Sequence, residues 1–164
     1  MHRVLFVCLG NICRSPTAEG IFRHLVKKQG LEEIICADSA GTGGWHIGNP
    51  PDPRAIQTAL TRVIDISDLR ARQLKVDDFL TFDTIVAMDS DNLANLRRQA
   101  GNHTQKLFLM LDFAPDIKRT DVPDPYYGEN GFDEVFDMIE ISSSGLIEHI
   151  KQQTRQQAGR HIDV

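Results

Sequence analysis

The stretch Val4-Leu5-Phe6-Val7-Cys8-Leu9-Gly10-Asn11-Ile12-Cys13-Arg14-Ser15-Pro16 constrains the fold more than any other part of the chain. An unbroken apolar run over residues 4–7 stops at a cysteine, turns through Gly-Asn and restarts at Ser-Pro. A run apolar on both faces reads as a buried strand of a parallel sheet. Ser15 is a good helix N-cap and Pro16 suits the first helical position, where its missing N–H costs nothing. The pattern predicts Cys8 at the carboxyl end of a strand and Arg14 just before a helix.

A loop of this kind is built for an anion. Successive N–H groups curling between a strand and a helix form a concave nest, and the helix dipole adds positive potential. Gly10 supplies conformational freedom, and Asn11 tolerates left-handed angles cheaply. Arg14 brings a planar fork matched to two phosphate oxygens. At the centre of that field Cys8 is expected as a thiolate nucleophile, lying under the phosphorus of a phosphate monoester. Leu9, Gly10, Asn11, Ile12, Cys13, Arg14 and Ser15 are the expected phosphate-binding residues. Ser15 is also placed to donate to the sulfur when the intermediate breaks down. The bare Cys-x5-Arg spacing is weak, and its context carries the expectation. The bland alternative is an inert strand-end cysteine and a surface arginine.

Helical spacing of Ala18, Ile21, Phe22, Leu25 and Val26 predicts a helix stopping near Gly30. Residues 33–37 read as a strand, with Cys36 a small core residue. Gly41, Gly43, Gly44, Gly48, Pro50 and Pro51 then mark a loop leaving the same sheet edge as Cys8. Trp45 is expected as a wall of the pocket and His46 as solvent-facing. Asp52-Pro53 caps a helix whose apolar face carries Ile56, Ala59, Leu60, Val63 and Ile64. Residues 76–79 suggest one helical turn, and Thr84-Ile85-Val86-Ala87-Met88 a strand ending at Asp89. Ser90 is a candidate cap for a helix with Leu93 and Leu96 that stops near Gly101. Residues 106–111 give a fourth strand and residues 132–157 a long helix.

Four apolar strands alternating with helices predict an α/β fold. The expectation is a single three-layer domain over residues 1–164, with a four-stranded parallel sheet flanked by helices. Ligands of such sheets bind beyond the carboxyl ends of the strands, where the strand order reverses, and Cys8 lies there. At 164 residues the chain is the right size for one core. A net charge of −5 argues against non-specific nucleic-acid binding, and no apolar run reaches membrane-spanning length. Met1-His2-Arg3 runs into a strand with no signal-peptide pattern, and 3 cysteines suit a reducing cytoplasm better than a disulfide framework. Cys8 and Cys13 are close enough in sequence for a transient disulfide under oxidation.

An alkoxide or phenoxide leaves phosphorus poorly unless an acid protonates it. The best candidate is Asp124 in Val122-Pro123-Asp124-Pro125-Tyr126-Tyr127-Gly128, stiffened by prolines on both sides. The adjacent tyrosines fit the mouth of a pocket for a flat aromatic group. On these residues alone, a turn aspartate with two tyrosines packed on the last helix fits equally well.

The Cys8-to-Pro16 loop resembles the signature loop of the low-molecular-weight protein tyrosine phosphatases. The resemblance continues through Asp38-Ser39, Trp45, Pro51-Asp52-Pro53-Arg54-Ala55, Ala71-Arg72-Gln73, Met88-Asp89 and Asp124-Pro125-Tyr126-Tyr127. It implies a flavodoxin-like fold (phosphotyrosine protein phosphatase I-like), no metal or other cofactor, and a phosphocysteine intermediate. It also implies hydrolysis of phosphotyrosine and aryl phosphates by a cytoplasmic monomer. A phosphotyrosine-containing protein or peptide would be the partner, with phosphate and vanadate as anionic ligands. Carried onto matching positions, Cys8 is the nucleophile, Arg14 the phosphate clamp and Asp124 the acid and then the base for water. Asn11, Ser39 and Asp89 support the loop, and Trp45, Tyr126 and Tyr127 flank the substrate ring.

Two positions depart from the family pattern. Leu69 stands where many members carry a histidine, which puts part of the loop-bracing network in question. Ile12 stands where members resembling arginine phosphatases carry threonine, which favours an aromatic phosphoester over phosphoarginine. An arsenate reductase on the same scaffold would need resolving cysteines near the pocket, and residues 77–95 contain none. A non-catalytic phosphoprotein-binding module would keep Arg14 and lose the nucleophile or the acid, and this chain has both Cys8 and Asp124.

Overall fold

The computed structural model describes residues 1–128 and 130–160. Its centre is β1 (His2–Cys8), whose residues 4–7 are wholly buried. Val4, Phe6 and Cys8 point into one apolar core and Leu5 and Val7 into another. A strand apolar on both faces needs a helical layer on each. On the first face α1 (Arg14–Lys28), α2 (Pro53–Thr61) and α5 (Phe132–Arg160) pack together. On the second lie α3 (Asp78–Thr81) and α4 (Ser90–Ala100). The sheet runs β2 (Ile35–Gly41), β1, β3 (Thr84–Ala87), β4 (Leu107–Leu109), all parallel. Its order reverses between β1 and β3, so the crevice opens beyond Cys8, which pairs in register with Gly41. Phe6 meets Phe22 edge-on with ring centroids 5.4 Å apart, locking β1 to α1. Truncating such a buried ring costs about 3–5 kcal/mol.

The α/β class, strand count and parallel sheet agree with the sequence, and the boundaries differ for physical reasons. β2 begins at Ile35 and runs through Asp38-Ser39-Ala40-Gly41. Those small polar residues look like loop by composition, yet the long neighbour β1 pairs with every one of them. Helix α1 begins at Arg14 with Cys13 as its N-cap, and no side chain caps it. Ser15, expected as the cap, lies inside the first turn, where its hydroxyl meets Cys8 Sγ and the Asn11 amide. Pro16 is third in the helix, where its missing N–H is still costless. Asp89, not Ser90, caps α4: its side chain accepts from the Asn92 N–H at 2.7 Å. β4 stops at Leu109, and the chain tightens into a 3-10 turn over Met110–Phe113. Leu60 and Val63 leave the expected apolar face of α2, which ends at Thr61, and both are exposed. Cys36 lies in β2 and is half-buried. Among the described residues no helix is long and apolar enough to cross a membrane.

Candidate active site

The loop after β1 is shaped by what takes its carbonyls. Thr42 N–H donates to the Cys8 carbonyl at 2.9 Å, Gly43 N–H to Leu9 at 2.9 Å and Asp52 N–H to Ile12 at 2.8 Å. In a trans peptide the N–H points opposite the C=O. With those carbonyls held outward, the N–H groups of Leu9, Gly10 and Cys13 turn inward. Among the described residues, no hydrogen bond engages the N–H of any residue from Leu9 through Ser15. The loop closes around a concavity lined by such donors, at the N-terminus of a helix without a side-chain cap. Such a concavity of N–H groups has the chemistry to receive an oxyanion. Cys8, 3% exposed, sits at its base with Sγ 3.0 Å from the Ser15 hydroxyl.

Gly41 lies behind the loop, and a Cβ there would meet Leu9 O at 2.9 Å, Gly43 O at 3.0 Å and Asn11 N at 3.1 Å. All three are backbone atoms, so only glycine lets β2 approach this closely. Asn11 adopts φ +57°, and its buried amide donates to Ser15 Oγ at 2.8 Å and Ser39 Oγ at 2.9 Å. Its Oδ1 accepts from the Arg72 N–H at 2.9 Å. The polar groups of this side chain therefore tie the loop to the first turn of α1, to β2 and to the Arg72 segment.

Arg14 is buried and aimed by its partners. Nη1 donates to Asp89 Oδ2 and, at 2.9 Å, to the Val122 carbonyl, while Nη2 lies 3.5 Å from Asp124 Oδ2. The Asp89 contact is 2.6 Å. With one edge of the fork fixed, the guanidinium lines the same cleft as Cys8. Burial works against the guanidinium charge, but Cys8, Asp89 and Asp124 outweigh it and raise the Arg14 pKa. Cys13 is the opposite case: burial first, then the negative charges of Asp52, Cys8 and Asp124, push its thiol well above the ordinary range.

A cleft of about 260 Å³ opens over the nest, lined by Cys8, Leu9, Ile12, Cys13 and Arg14 at its floor. Trp45, His46, Asp124, Tyr126 and Tyr127 form its rim. That volume is below the roughly 300–1,000 Å³ of sites for larger ligands and suits one ring with one phosphate. Tyr126 and Tyr127 stand edge to face with centroids 5.1 Å apart, and Tyr127 is 79% exposed. Trp45, also exposed, lays its ring over Gly43.

Residues 3–157 match the family described as low molecular weight phosphotyrosine protein phosphatase. The chain belongs to that family. It is 47% identical over 154 residues to the low molecular weight protein-tyrosine-phosphatase YfkJ of Bacillus subtilis, covering 93% of this chain and 98% of the relative. The crystal structure of YfkJ superimposes with a TM-score of 0.90 over 93% of this chain and 96% of that one. A protein tyrosine phosphatase from Entamoeba histolytica, 40% identical, also gives 0.90 over 94% and 99%. A Drosophila protein named an arginine phosphatase, 34% identical, gives 0.83 over 90% and 97%.

Where many phosphatases of this family carry histidine, Leu69 of this member is half-buried and packs against the core. The bracing of the loop survives without it, because Asn11 reaches the Arg72 backbone and Arg72 is itself pinned. Its guanidinium donates to Asp38 at 3.0 Å and to Asp78 at 3.0 and 3.2 Å. Asp89 serves two elements at once, capping α4 with one oxygen and holding Arg14 with the other. His46 corrects the sequence expectation. It is half-buried beside Gly10, where a Cβ would lie 2.9 Å from His46 Cδ2, and its ring centroid is 6.4 Å from that of Tyr126. A lone histidine in a Gly/Pro-rich loop gives no sequence signal of that placement. Arg72 was likewise unassigned, since its importance arises from three segments meeting.

Proposed function

We propose that this phosphatase hydrolyses phosphotyrosine in proteins by passing the phosphoryl group from tyrosine to Cys8 and from Cys8 to water. The phosphate oxygens lie in the nest of N–H groups from Leu9 through Ser15, with the Arg14 fork across them. The Cys8 thiolate attacks phosphorus, an S–P bond forms, and the P–O bond to the aryl group breaks. Asp124, entering this step protonated, gives its proton to the departing phenolic oxygen. The resulting carboxylate then takes a proton from water, whose oxygen attacks phosphorus. The S–P bond breaks, the sulfur leaves as a thiolate stabilised by the Ser15 hydroxyl, and inorganic phosphate is released. Trp45, Tyr126 and Tyr127 give the ring an apolar rim, with Ile12 at the floor.

The observation that carries this reading is the buried Cys8 sulfur beside a run of N–H groups with no acceptor among the described residues, in one cleft with Arg14 and Asp124. The names of the relatives agree with it. The test is turnover of p-nitrophenyl phosphate and a phosphotyrosine peptide, with a phosphoarginine peptide as competitor. Cys8→Ser should abolish turnover while phosphate still binds, and loss of phosphate binding as well would mean that the loop serves another purpose. Asp124→Asn should slow aryl phosphates increasingly as leaving-group pKa rises. Preference for phosphoarginine would overturn the substrate assignment.

A further inference from the structure

Resting on the proposed acid role of Asp124, we infer that Arg54, fixed by Asp52, is a positioning residue that sets the height of Asp124 over the anion loop. The segment bearing Asp124 has few ties to the body of the protein. Among the described residues, the hydrogen bonds reaching residues 123–128 from outside that segment come from two arginines, Arg14 and Arg54. Arg14 contributes the 3.5 Å contact to the Asp124 carboxylate itself, within the part of the site that meets phosphate. Arg54 holds the backbone: Nη1 donates to the Gly128 carbonyl at 3.0 Å and Nη2 to the Tyr126 carbonyl at 3.2 Å.

The other side of the guanidinium is tied to the loop. Nε donates to Asp52 Oδ1 at 3.0 Å and Nη2 to Oδ2 at 2.9 Å, a bidentate pair that keeps the Asp52 carboxyl below its usual range. The Asp52 N–H in turn donates to the Ile12 carbonyl in the anion loop. The guanidinium carbon also sits 4.7 Å from the Phe132 ring centroid at the start of α5. One side chain thus links the phosphate floor, the acid segment and the last helix.

The path to the reacting oxygen is short. Tyr126 N–H donates to Asp124 Oδ1 at 3.0 Å, so fixing the Tyr126 backbone orients the carboxyl and leaves Oδ2 facing Arg14 and the cleft. Arg54 touches neither phosphate nor ring in this scheme. Its loss should misplace the acid and leave the anion nest intact. Lysine carries a point charge and cannot bridge two carbonyls and a carboxylate together, so Arg54→Lys should recover only part of the effect.

The experiment measures kcat/KM for a series from 2,4-dinitrophenyl to phenyl phosphate in wild type, Arg54→Gln, Arg54→Lys, Asp124→Asn and the Arg54→Gln/Asp124→Asn double variant. A misplacement of about 1 Å can cost on the order of a hundredfold. Arg54→Gln should therefore lose roughly ten- to a hundredfold on phenyl phosphate. On 2,4-dinitrophenyl phosphate, which needs no acid, the loss should stay below about twofold, and phosphate inhibition should be unchanged. In the Asp124→Asn background Arg54→Gln should cost nothing further. Equal loss across the series, or a loss that multiplies with that of Asp124→Asn, would overturn the inference. If Arg54→Gln fails to fold, the Arg54→Lys series decides by the same slope. An Asp124→Asn profile with no dependence on leaving group would instead strike the acid assignment, a different failure.

Discussion

Replacing Asn11 separates the two ways in which it shapes the loop. Its φ of +57° is costly for alanine and nearly free for glycine, a difference of about 1–2 kcal/mol. Its side chain makes three hydrogen bonds in a 2% exposed position. The Ser15 hydroxyl can turn to other partners, since its Oγ already lies near Cys8 Sγ and the Ala40 carbonyl. The Arg72 N–H cannot, and stranding it costs about 1–3 kcal/mol. Asn11→Gly should therefore lose about 1–3 kcal/mol of stability, and Asn11→Ala about 2–5 kcal/mol. Urea unfolding at fixed pH reads both values. Phosphate inhibition reads the functional side: loosening the nest by about 1.4 kcal/mol weakens the anion tenfold. Equal stability of the glycine and alanine variants would refute the backbone argument. Wild-type stability in both would refute the bracing role.

Other expectations follow from positions away from the nucleophile. Val63 is 87% exposed at φ +63°, a strained conformation for a β-branched residue, so Val63→Gly should raise stability by about 1 kcal/mol; a lower Tm would contradict it. Gly41→Ala should weaken phosphate inhibition more than it lowers Tm, because the new methyl presses on loop backbone; unchanged inhibition would show that the loop yields. Glu19 is 2% exposed, and burial pushes its carboxyl up from 4.5 to about 8, with Asp38 adding to the shift and the exposed Arg23 and half-buried Arg72 opposing it. The folded protein then holds a proton that the unfolded chain has released, so stability falls as pH rises from 4.5 toward about 8. Glu19→Gln should flatten that slope in unfolding midpoints, and parallel profiles for the two proteins would refute it.

The sequence displays what is contiguous. Cys8, Asn11 and Arg14 lie within one short stretch of chain, and the physics of a strand–loop–helix junction places them together from the sequence alone. The prolines around Asp124 mark it as a fixed position, and the structure puts it in the cleft with Cys8, although the same letters fit a plain turn residue. Less legible were residues whose meaning depends on closure between distant segments. Asp52 reads as a helix cap, and it is one, yet its second oxygen and its N–H join Arg54 to the Ile12 carbonyl. Ser15 has the chemistry of an N-cap, and the buried cluster of Cys8 and Asn11 claims its hydroxyl instead. The end of β2 was hidden because Asp-Ser-Ala-Gly has loop composition, and only pairing with β1 makes it a strand.

The central claim is that the sulfur of Cys8 carries the phosphoryl group. Acid quenching of the enzyme during turnover of a good aryl phosphate, followed by peptide mass spectrometry, tests it directly. A single phosphoryl adduct is expected on the peptide containing Cys8, absent without substrate and absent in Cys8→Ser. Full turnover with no adduct at any quench time, or an adduct on another residue, would contradict it.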